Sequence, residues 1–570
     1  MKKSLHILFL LTFQIGTTIA QTPEFEWVHT HGSTLDDMGG AITTDAQNNV
    51  YISGYFTGDV DFDPGAGITT LSSGSSSIGF IQKMNANGDL VWAKPFPQGG
   101  YSSIGSIVTD QSGNLILAGF FSGNLTFSTS NGTQTIESIG YQDAFIAKMD
   151  GSGNFVWVKS FGYVNQDDAI SKIQLDEVGN IYSTGYFYGT CDFDPGPGTA
   201  NLSSAGGSMD IFVQKLTAAG DYIWAKKIGA GGFDMGLALD VKGSTIALTG
   251  WFQNNVDFDP SPTTYSIINT QGYGDIYLLS LTTDGDFNWV KSFGSSMGDK
   301  GIDVAIANNG QIYLTGTFDA VIDLDPGTGT SLFTPVNSSA FFVLQLTDSG
   351  DLNWAKAFTG ANWQGSNALA LHPTNGVVIA AGFSGTCDFD PGNGVSNLTA
   401  VGGGDAALVY LDQNGNYIWA GSYGNNDPNT LLGDGVPDIS IDNLGNFYAT
   451  GFFYDTVDFD CGTGIAEAVT AGSYDIYILK LNSSTLSVSE NALNDFKLYP
   501  NPANEQLSIS VTGLNNCHVT ICNSLGTIVL EKDISDAETQ LDIRSLSAGS
   551  YVVQLTNELD SSYQTFVKIN

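Results

Sequence analysis

The sequence predicts an all-β protein, in which a seven-bladed β-propeller is followed by a small immunoglobulin-like β-sandwich. Three observations lead to this fold class. One unit repeats seven times between about Phe25 and Leu481, with 65 residues separating, for example, Gly54 and Gly119. Each unit contains four short strand-like runs separated by turns, and a tryptophan marks the fourth run. The 70 glycines and the 12% aromatic content fit many short strands joined by tight turns.

The first 20 residues predict a secretory signal peptide. Lys2 and Lys3 precede the apolar run LHILFLLTF, and a stretch of small residues ends at Ala20. No later run is long and apolar enough to cross a bilayer, so we expect no transmembrane segment in the mature chain. The net charge of −39 argues against nucleic acid as a partner, because it repels phosphate backbones.

A glycine in the second strand of each unit anchors the repeat. The third unit shows the four strands as AISKIQLD, NIYSTGYFYG, DIFVQKLT and DYIWAKKIG. A fixed strand order at a fixed interval is typical of a propeller and not of a sandwich. The equivalent glycines are Gly54, Gly119, Gly185, Gly250, Gly316, Gly382 and Gly451.

The ends of the repeat region predict how the ring closes. The segment Phe25–His31 contains a fourth-strand tryptophan before the first unit, whereas the seventh unit ends near Leu481 without a fourth strand. We expect Phe25–His31 to complete the last blade, because this removes two open sheet edges. The predicted divisions are a signal peptide at 1–20, the propeller at 21–482, a linker at 483–494 and the sandwich at 495–570.

Two parts of the chain resemble known families. The repeat unit resembles the SBBP repeats of bacterial seven-bladed propellers, through the segments VGNIYSTGYF, MDIFVQKL and WAKKIG. YPNPA at Tyr499–Ala503, LSAGSYVV at Leu546–Val553 and the terminal FVKIN resemble the type A C-terminal sorting domain of type IX secretion cargo. The second resemblance implies that the type IX machinery handles residues 495–570 and that the protein is secreted or held on the outer cell surface.

Six units carry two aspartates around one hydrophobic residue, and Pro-Gly usually follows. In VDFDPGAG we expect Phe62 to pack into the blade and Asp63 to bond the backbone of a turn at Pro64–Gly65, an account that assigns no role to Asp61. The pairs are Asp61 with Asp63, Asp192 with Asp194, Asp257 with Asp259, Asp323 with Asp325, Asp388 with Asp390, and Asp458 with Asp460.

Structural calcium is the alternative reading of these pairs. Six pairs of carboxylates on a strongly acidic chain would repel each other without counter-ions. Ca²⁺ takes six to eight oxygens, which two carboxylates, loop carbonyls and waters could supply. All twelve aspartates are therefore candidate metal ligands, and calcium is the one cofactor that the sequence suggests.

No residue set predicts a catalytic site. Acidic residues recur near the start of the first strand in five units, which favours caps and turns over one active site; they are Asp37, Asp168, Asp234, Asp299 and Asp434. His29 and His31 share one face of a strand, as a metal site would require, but they replace the ordinary blade residues Lys159 and Phe161.

The loops predict where function lies. In a four-stranded blade the second–third loops and the blade-to-blade loops share one face, which we call the long-loop face. We expect a non-catalytic binding or adhesion protein that takes a glycan or protein ligand there. An extracellular polysaccharide hydrolase or lyase is the alternative. FTGANWQGSN, with Trp363, and YGNNDPNTLLGDGVPD, with Asp427 and Asp434, come closest to loops that break the repeat as an active site would.

Overall fold

The structure is a computed structural model, and the residues it describes form an all-β protein without helices. It describes residues 22–130, 132–261, 265–268, 272–336, 339–360, 362–374, 376–401, 403–425, 433–482, 494–512, 517–523, 528–534, 538–556 and 561–569. The predicted signal peptide at 1–20 and residues 483–493 of the predicted linker lie outside them. The chain separates into two compact units, residues 1–483 and 484–570.

Seven sheets, numbered here along the chain, lie in the first unit; each has four principal antiparallel strands, and sheet 2 gains two more from its ribbon. Sheets 1 to 3 are formed by Met38–Thr44, Val50–Phe56, Ile78–Met84 and Leu90–Pro95; by Ser102–Thr109, Leu115–Phe121, Asp143–Met149 and Phe155–Phe161; and by Ala169–Leu175, Ile181–Phe187, Asp210–Leu216 and Tyr222–Ile228. Sheets 4 and 5 are formed by Met235–Lys242, Thr245–Phe252, Asp275–Thr282 and Phe287–Phe293; and by Lys300–Ile306, Ile312–Phe318, Ala340–Leu346 and Leu352–Phe358. Sheets 6 and 7 are formed by Gln364–Leu371, Val377–Phe383, Asp405–Leu411 and Tyr417–Tyr423; and by Gly435–Ile441, Phe447–Phe453, Asp475–Asn482 and Glu24–His31.

A short two-stranded ribbon follows the second strand of every sheet. The ribbons are Asp59–Asp61 with Thr70–Ser72, Asn124–Thr129 with Gly132–Glu137, Thr190–Asp192 with Asn201–Ser203, Asn255–Asp257 with Ser266–Ile268, Ile322–Asp323 with Leu332–Phe333, Thr386–Asp388 with Asn397–Thr399, and Thr456–Asp458 with Glu467–Val469. The second ribbon has no aspartate pair, and its longer strands join the outer edge of sheet 2.

The N-terminal strand completes sheet 7, as the sequence predicts. Glu24–His31 pairs antiparallel with Asp475–Asn482, so that Phe25 lies opposite Leu481. The ring of Trp27 stacks on His29 with centroids 4.6 Å apart. Lys480 Nζ lies 3.0 Å from Glu26 Oε1. Sheet 7 therefore joins the two ends of the first unit.

The first strands of the seven sheets form a closed cycle of contacts. Each contacts the first strand of the next sheet, and the first strand of sheet 7 contacts that of sheet 1. Asp438 Oδ2 in sheet 7 accepts the Ile42 N–H of sheet 1 at 3.0 Å, and Asp303 Oδ2 in sheet 5 accepts the Leu369 N–H of sheet 6 at 3.0 Å. Every first strand also has an irregularity in register near its start.

The hydrophobic core lies between neighbouring sheets. Phe62, from the ribbon of sheet 1, packs against Phe56 and Phe80 with ring centroids 5.4 and 4.8 Å away, and all three rings are fully buried. The same cluster includes Tyr448 and Ile476 of sheet 7. Burial of such side chains stabilises the fold by about 1.5–3 kcal/mol each.

One predicted repeat position is wrong by one residue. The anchoring glycine of sheets 1 to 5 and 7 corresponds in sheet 6 to Ala381, which pairs with Ala407, and not to Gly382, which pairs with Ala406. Gly316 is 65 residues from Ala381 and 66 from Gly382, and both intervals occur elsewhere in the repeat, so spacing does not distinguish Ala381 from the adjacent glycine. Gly382 instead occupies the position that Tyr55 has in sheet 1.

The second unit contains a three-stranded and a four-stranded antiparallel sheet. Phe496, Leu507, Ile521, Tyr551 and Phe566 belong to one buried cluster. In spatial order the strands are Asn494–Tyr499, Gln506–Thr512 and Glu538–Asp542 in the first sheet, and Ile528–Ile534, Cys517–Asn523, Gly549–Thr556 and Ser561–Lys568 in the second.

Candidate functional site

The acidic ribbons are held by one repeated set of backbone hydrogen bonds. Asp61 Oδ1 accepts the N–H of Asp63 at 3.1 Å and that of Thr69 at 2.8 Å, and Asp63 Oδ1 accepts the Gly65 N–H at 2.8 Å. The predictions for Phe62 and Asp63 are confirmed. The account that left Asp61 without a role is wrong, because its carboxylate ties the two strands of the ribbon together.

The other five pairs repeat this pattern. The first aspartate of each pair accepts the N–H groups two and eight residues later, as at Asp192, Asp257, Asp323, Asp388 and Asp458. The second aspartate accepts the N–H two residues later, as at Asp194, Asp259, Asp325, Asp390 and Asp460. The last glycine of VDFDPGAG, Gly67, leaves room for the carboxylate of Asp63, since a Cβ at Gly67 would lie 2.1 Å from Asp63 Oδ2.

The calcium hypothesis finds only part of a ligand set in each ribbon. Backbone N–H groups occupy Oδ1 of both Asp61 and Asp63, which leaves the Oδ2 atoms for a cation. In the part of the chain that the structure describes, no three or more acidic, histidine or cysteine side chains are grouped to hold a metal ion. Loop carbonyls and waters would have to supply most of the six to eight oxygens.

The structure thus differs from a complete calcium site at every pair. Among the described residues no third acidic, histidine or cysteine side chain is grouped with any pair, so each pair offers two carboxylates there. Calcium stays a prediction for all twelve residues: Asp61 and Asp63, Asp192 and Asp194, Asp257 and Asp259, Asp323 and Asp325, Asp388 and Asp390, and Asp458 and Asp460.

Alanine and asparagine variants of Asp61 distinguish its role in the turn from a role as a metal ligand. Asp61→Ala should lower the free energy of unfolding by about 1–2 kcal/mol, because two N–H groups lose their acceptor. Asp61→Asn should stay close to the parent, since its Oδ1 still accepts both. Melting temperatures in millimolar Ca²⁺ and in EDTA test the metal. A calcium-dependent gain that Asp61→Asn with Asp192→Asn reduces would support the site, and equal melting temperatures in calcium and EDTA would leave the pairs as turn residues.

The recurrent first-strand aspartates act as caps, as predicted. Asp168 Oδ2 accepts the Tyr163 N–H at 2.6 Å, and its Oδ1 accepts the Tyr188 N–H at 2.7 Å. Burial raises the pKa of Asp168 to about 7, against the opposing effect of these two hydrogen bonds. The same two-sided capping occurs at Asp37, Asp234, Asp299 and Asp434.

The paired histidines belong to the core of sheet 7. His31 is buried, and its Nδ1 lies 3.1 Å from the carbonyl oxygen of Asp61. Burial lowers the pKa of His31 to about 4. His29 is stacked on Trp27. These contacts give both residues ordinary structural roles in the strand Glu24–His31.

The long-loop face carries a rim of half-buried aromatic side chains that the sequence reading missed. Tyr55, Phe120, Tyr186, Trp251 and Phe452 occupy one equivalent position, at the end of the second strand. We call these five residues together with Trp363 the aromatic rim. The available signal was the aromatic residue that follows the anchoring glycine, as in GYF, GFF and GWF.

Trp363 supplies the aromatic ring of sheet 6 from a loop. A Cβ at Gly382 would lie 3.0 Å from the indole of Trp363, which therefore covers the place of the missing side chain. Trp363 is 47% exposed. In sheet 5 the position is held by Thr317, opposite the exposed Lys300, so the rim has a gap there.

Loop tyrosines extend the aromatic rim at two places. Tyr101 lies between Tyr55 and Phe120, with ring centroids 6.5 and 5.9 Å away. Tyr474 lies 5.2 Å from Phe452. Burial, with smaller contributions from Tyr101 and Asp36, raises the pKa of Tyr55 to about 12. These phenols therefore stay neutral and present uncharged rings and hydroxyls.

The two loops singled out in the sequence have different outcomes. Trp363 joins the aromatic rim. Asp434 is buried and caps the backbone at Asn425 and Tyr454, so it is not directed to a ligand. Asp427 lies outside the described residues.

A cavity of about 260 Å³ is lined by the first strands of all seven sheets. Lys172 Nζ in this cavity lies 3.6 Å from Asp303 Oδ1. Burial alone would lower the pKa of Lys172, but Asp303, Asp438 and Asp240 outweigh burial and raise it. The cavity thus holds a charged cluster that departs from the repeat, at positions the sequence reading did not single out.

Comparison with known proteins identifies the end of the chain. Residues 497–569 match the family model of the secretion system C-terminal sorting domain. The protein is secreted or carried on the cell surface. No helix among the described residues is long and apolar enough to cross a membrane.

Curated relatives differ in how much of this chain they match. The chain is 23% identical over 537 residues to an uncharacterized WD repeat-containing protein of Acanthamoeba polyphaga mimivirus, covering 80% of this chain and 38% of that protein. An endo-acting ulvan lyase of Formosa agariphila is 32% identical over 82 residues, 14% of this chain and 16% of the lyase. The chain thus spans well under two thirds of the length of these relatives.

A solved structure of PorZ, described as a surface component of the type IX secretion system of Porphyromonas gingivalis, aligns with 95% of this chain and 100% of its own. The identity is 11% and the TM-score 0.16, which is too low a likeness to support an inference.

Proposed function

We propose that the first unit is a seven-bladed β-propeller built from SBBP-type repeats. The seven sheets, the closed cycle of first strands, the cavity they line and the N-terminal strand in sheet 7 support this arrangement. The name of the mimivirus relative supports it as well, since WD repeats form propeller blades. In this proposal the propeller spans residues 21–482, and the sorting domain at 495–570 carries it to the type IX machinery.

We propose that the propeller is a non-catalytic binding or adhesion protein whose aromatic rim takes a glycan. The observation that carries this proposal is the repeated placement of half-buried aromatic rings on one face of the scaffold. Such rings offer large, rigid contact surfaces at low entropic cost, while the tyrosine hydroxyls can hydrogen-bond a polar ligand. Sugar rings present both apolar faces and hydroxyls, which matches this surface.

The charge of the rim favours a neutral glycan over an acidic one. Asp36 lies close enough to Tyr55 and Tyr474, and Asp167 to Tyr186, to raise the pKa of those tyrosines. The whole chain carries a net charge of −39. A polyanionic polysaccharide would be repelled before it reached the rings.

Trp251→Ala and Trp363→Ala should each weaken glycan binding by at least about tenfold, because an aromatic anchor at the centre of an interface carries a large share of the affinity. Affinity is measured by titrating the mature chain with neutral and acidic polysaccharides. Tyr265→Ala is the matched control, since Tyr265 is 51% exposed but lies on a ribbon outside the rim. Equal affinities for the parent and both tryptophan variants would contradict the rim as the binding site.

The alternative, a polysaccharide hydrolase or lyase, has two observations in its favour. Two ulvan lyases share short likenesses with this chain, the second, from Nonlabens ulvanivorans, being 30% identical over 91 residues. The cavity also holds a charged Lys172 cluster. Incubation with the same neutral and acidic polysaccharides decides between the two functions. Release of oligosaccharides or unsaturated ends from any of them would overturn the non-catalytic proposal.

A further inference from the structure

Five of the seven junctions between neighbouring sheets share one set of three residues. An aspartate opens the third strand of one sheet, a glycine follows its fourth strand, and a second aspartate precedes the first strand of the next sheet. The sets are Asp143, Gly162 and Asp168; Asp210, Gly229 and Asp234; Asp275, Gly294 and Asp299; Asp405, Gly424 and Asp434; and Asp475, Gly32 and Asp37.

The two aspartates of each set are brought together by the backbone. The N–H of Asp37 donates to the carbonyl oxygen of Tyr474, the neighbour of Asp475, at 2.8 Å. The equivalent bond joins the strands at the other four junctions, at 2.9 to 3.0 Å. All ten carboxyl groups are at most 7% exposed. The acids therefore meet out of contact with bulk water.

The glycine makes room for the first aspartate. A Cβ at Gly32 would lie 2.0 Å from Asp475 Cγ, and one at Gly162 would lie 2.2 Å from Asp143 Cγ. Any side chain at this position would displace the carboxyl group.

The two remaining junctions lose all three residues together. Their sets are Ile78, Pro97 and Ser102, and Ala340, Thr359 and Gln364. Gln364 Oε1 still accepts the Gly360 N–H at 2.9 Å, so an uncharged side chain can make the loop cap. A carboxyl group is thus present on one side of a junction only where a second one faces it, although like charges repel in a buried site.

A lysine explains how the charge of one pair is tolerated. Lys227 Nζ lies 3.1 Å from Asp210 Oδ2 and offsets that charge. The pair Asp275 with Asp299 is set aside, because Asp275 has further contacts. At the other three pairs no lysine, arginine or histidine of the described residues forms an ion pair; they are Asp143 with Asp168, Asp405 with Asp434, and Asp475 with Asp37. The groups that face these pairs are acids and weak acids: Asp167, Tyr186, Tyr188 and Cys191; Tyr423, Tyr474 and Tyr477; and Asp36 and Tyr55.

Hydrogen bonding is also incomplete in the pair of Asp475 with Asp37. Asp475 Oδ2 accepts the Ala471 N–H at 2.7 Å, but its buried Oδ1 has no partner among the described residues. Both oxygens of Asp37 accept backbone N–H groups. A proton is the smallest cation that would remove the charge of this site.

We propose that each of these three aspartate pairs holds one proton, so that the cycle of sheets is most stable in acid and less stable at neutral pH and above. The pKa values support this reading. Burial, together with the facing aspartate, raises the pKa of Asp168, Asp405 and Asp475 to about 7 in each case. These values lie above the ordinary value of 3.8, so the folded chain keeps protons that the unfolded chain has released. Stability should be highest near pH 4, fall as the pH rises to about 7 and stay level above it.

The test is the melting temperature of the mature chain between pH 5 and pH 8. The parent should melt several degrees lower at pH 8, since each proton held changes the unfolding equilibrium up to tenfold per pH unit. The variant D143N/D405N/D475N should lose most of this difference, because an asparagine amide can donate as a protonated carboxyl does. The control D61N/D192N/D388N removes the same number of charges from the ribbons and should keep the difference. A full difference in the junction variant, or its loss in the control, would overturn the proposal.

A gain-of-charge variant keeps the test decisive if the triple variant does not fold. Thr30 occupies in sheet 7 the position that Lys227 has in sheet 3. Thr30→Lys should raise the melting temperature at pH 8 and reduce the difference between pH 5 and pH 8. An unchanged difference in this variant would also overturn the proposal.

Discussion

Removal of residues 21–32 is expected to make the protein aggregate. The deletion takes away the strand that pairs with Asp475–Asn482 along its length. It exposes the unpaired edge of that strand and the apolar surface under Trp27 and Val28, which pack on buried clusters. An open, apolar edge pairs readily with a second copy of itself. Size-exclusion chromatography and thermal unfolding should show large species and loss of a single cooperative transition.

A peptide control separates edge exposure from general damage. A synthetic peptide of residues 22–33 should restore the monomer when it is added during refolding, because it can occupy the vacant position in sheet 7. A peptide of the same composition in scrambled order should not. A truncated chain that stays monomeric with the melting temperature of the parent would contradict closure by this strand.

Removal of residues 495–570 is expected to stop export almost completely. Residues 497–569 match the sorting domain, and the second unit has a hydrophobic cluster of its own. In a host with type IX secretion, the shortened protein should therefore remain in the periplasm with a protease-resistant first unit. Immunoblots of periplasmic and extracellular fractions measure the distribution.

The reciprocal fusion is the matched control for export. A fluorescent protein that carries residues 1–20 at its start and residues 495–570 at its end should reach the outside. Appearance of the shortened protein outside the cell at the level of the parent would contradict the sorting role.

Sequence reasoning works where a structural rule acts within one unit. The burial of Phe62, the hydrogen bond from Gly65 to Asp63 and the pairing of Phe25 with Leu481 follow from alternation, turn chemistry and a count of strands. Each depends on a local pattern, or on the requirement that sheet edges be paired. The misplaced Gly382 shows the limit of spacing, since intervals of 65 and 66 residues both occur in the repeat and only the strand pairing selects Ala381.

The parts of the candidate site that were missed depend on residues distant in the sequence. Asp61 gains its role from Thr69 across the ribbon. The aromatic rim combines one position from each of several sheets with a loop tryptophan, and the contact of Trp363 with Gly382 cannot be read from either segment alone. Asp475 and Gly32 lie at opposite ends of the repeat region, so no local pattern shows that one must be small for the other.

The strand that completes sheet 7 also sets the order of folding. Glu24–His31 leaves the ribosome before the other strands of the first unit, but its partner, Asp475–Asn482, is made last within that unit. The earliest strand must therefore remain unpaired while the other sheets are synthesised, and an interrupted chain cannot bury it. Incomplete products would keep an apolar segment exposed ahead of their first sheet, where chaperones and proteases of the export route can recognise it. The N-terminal strand can therefore be buried only in a chain that has been synthesised through its last repeat.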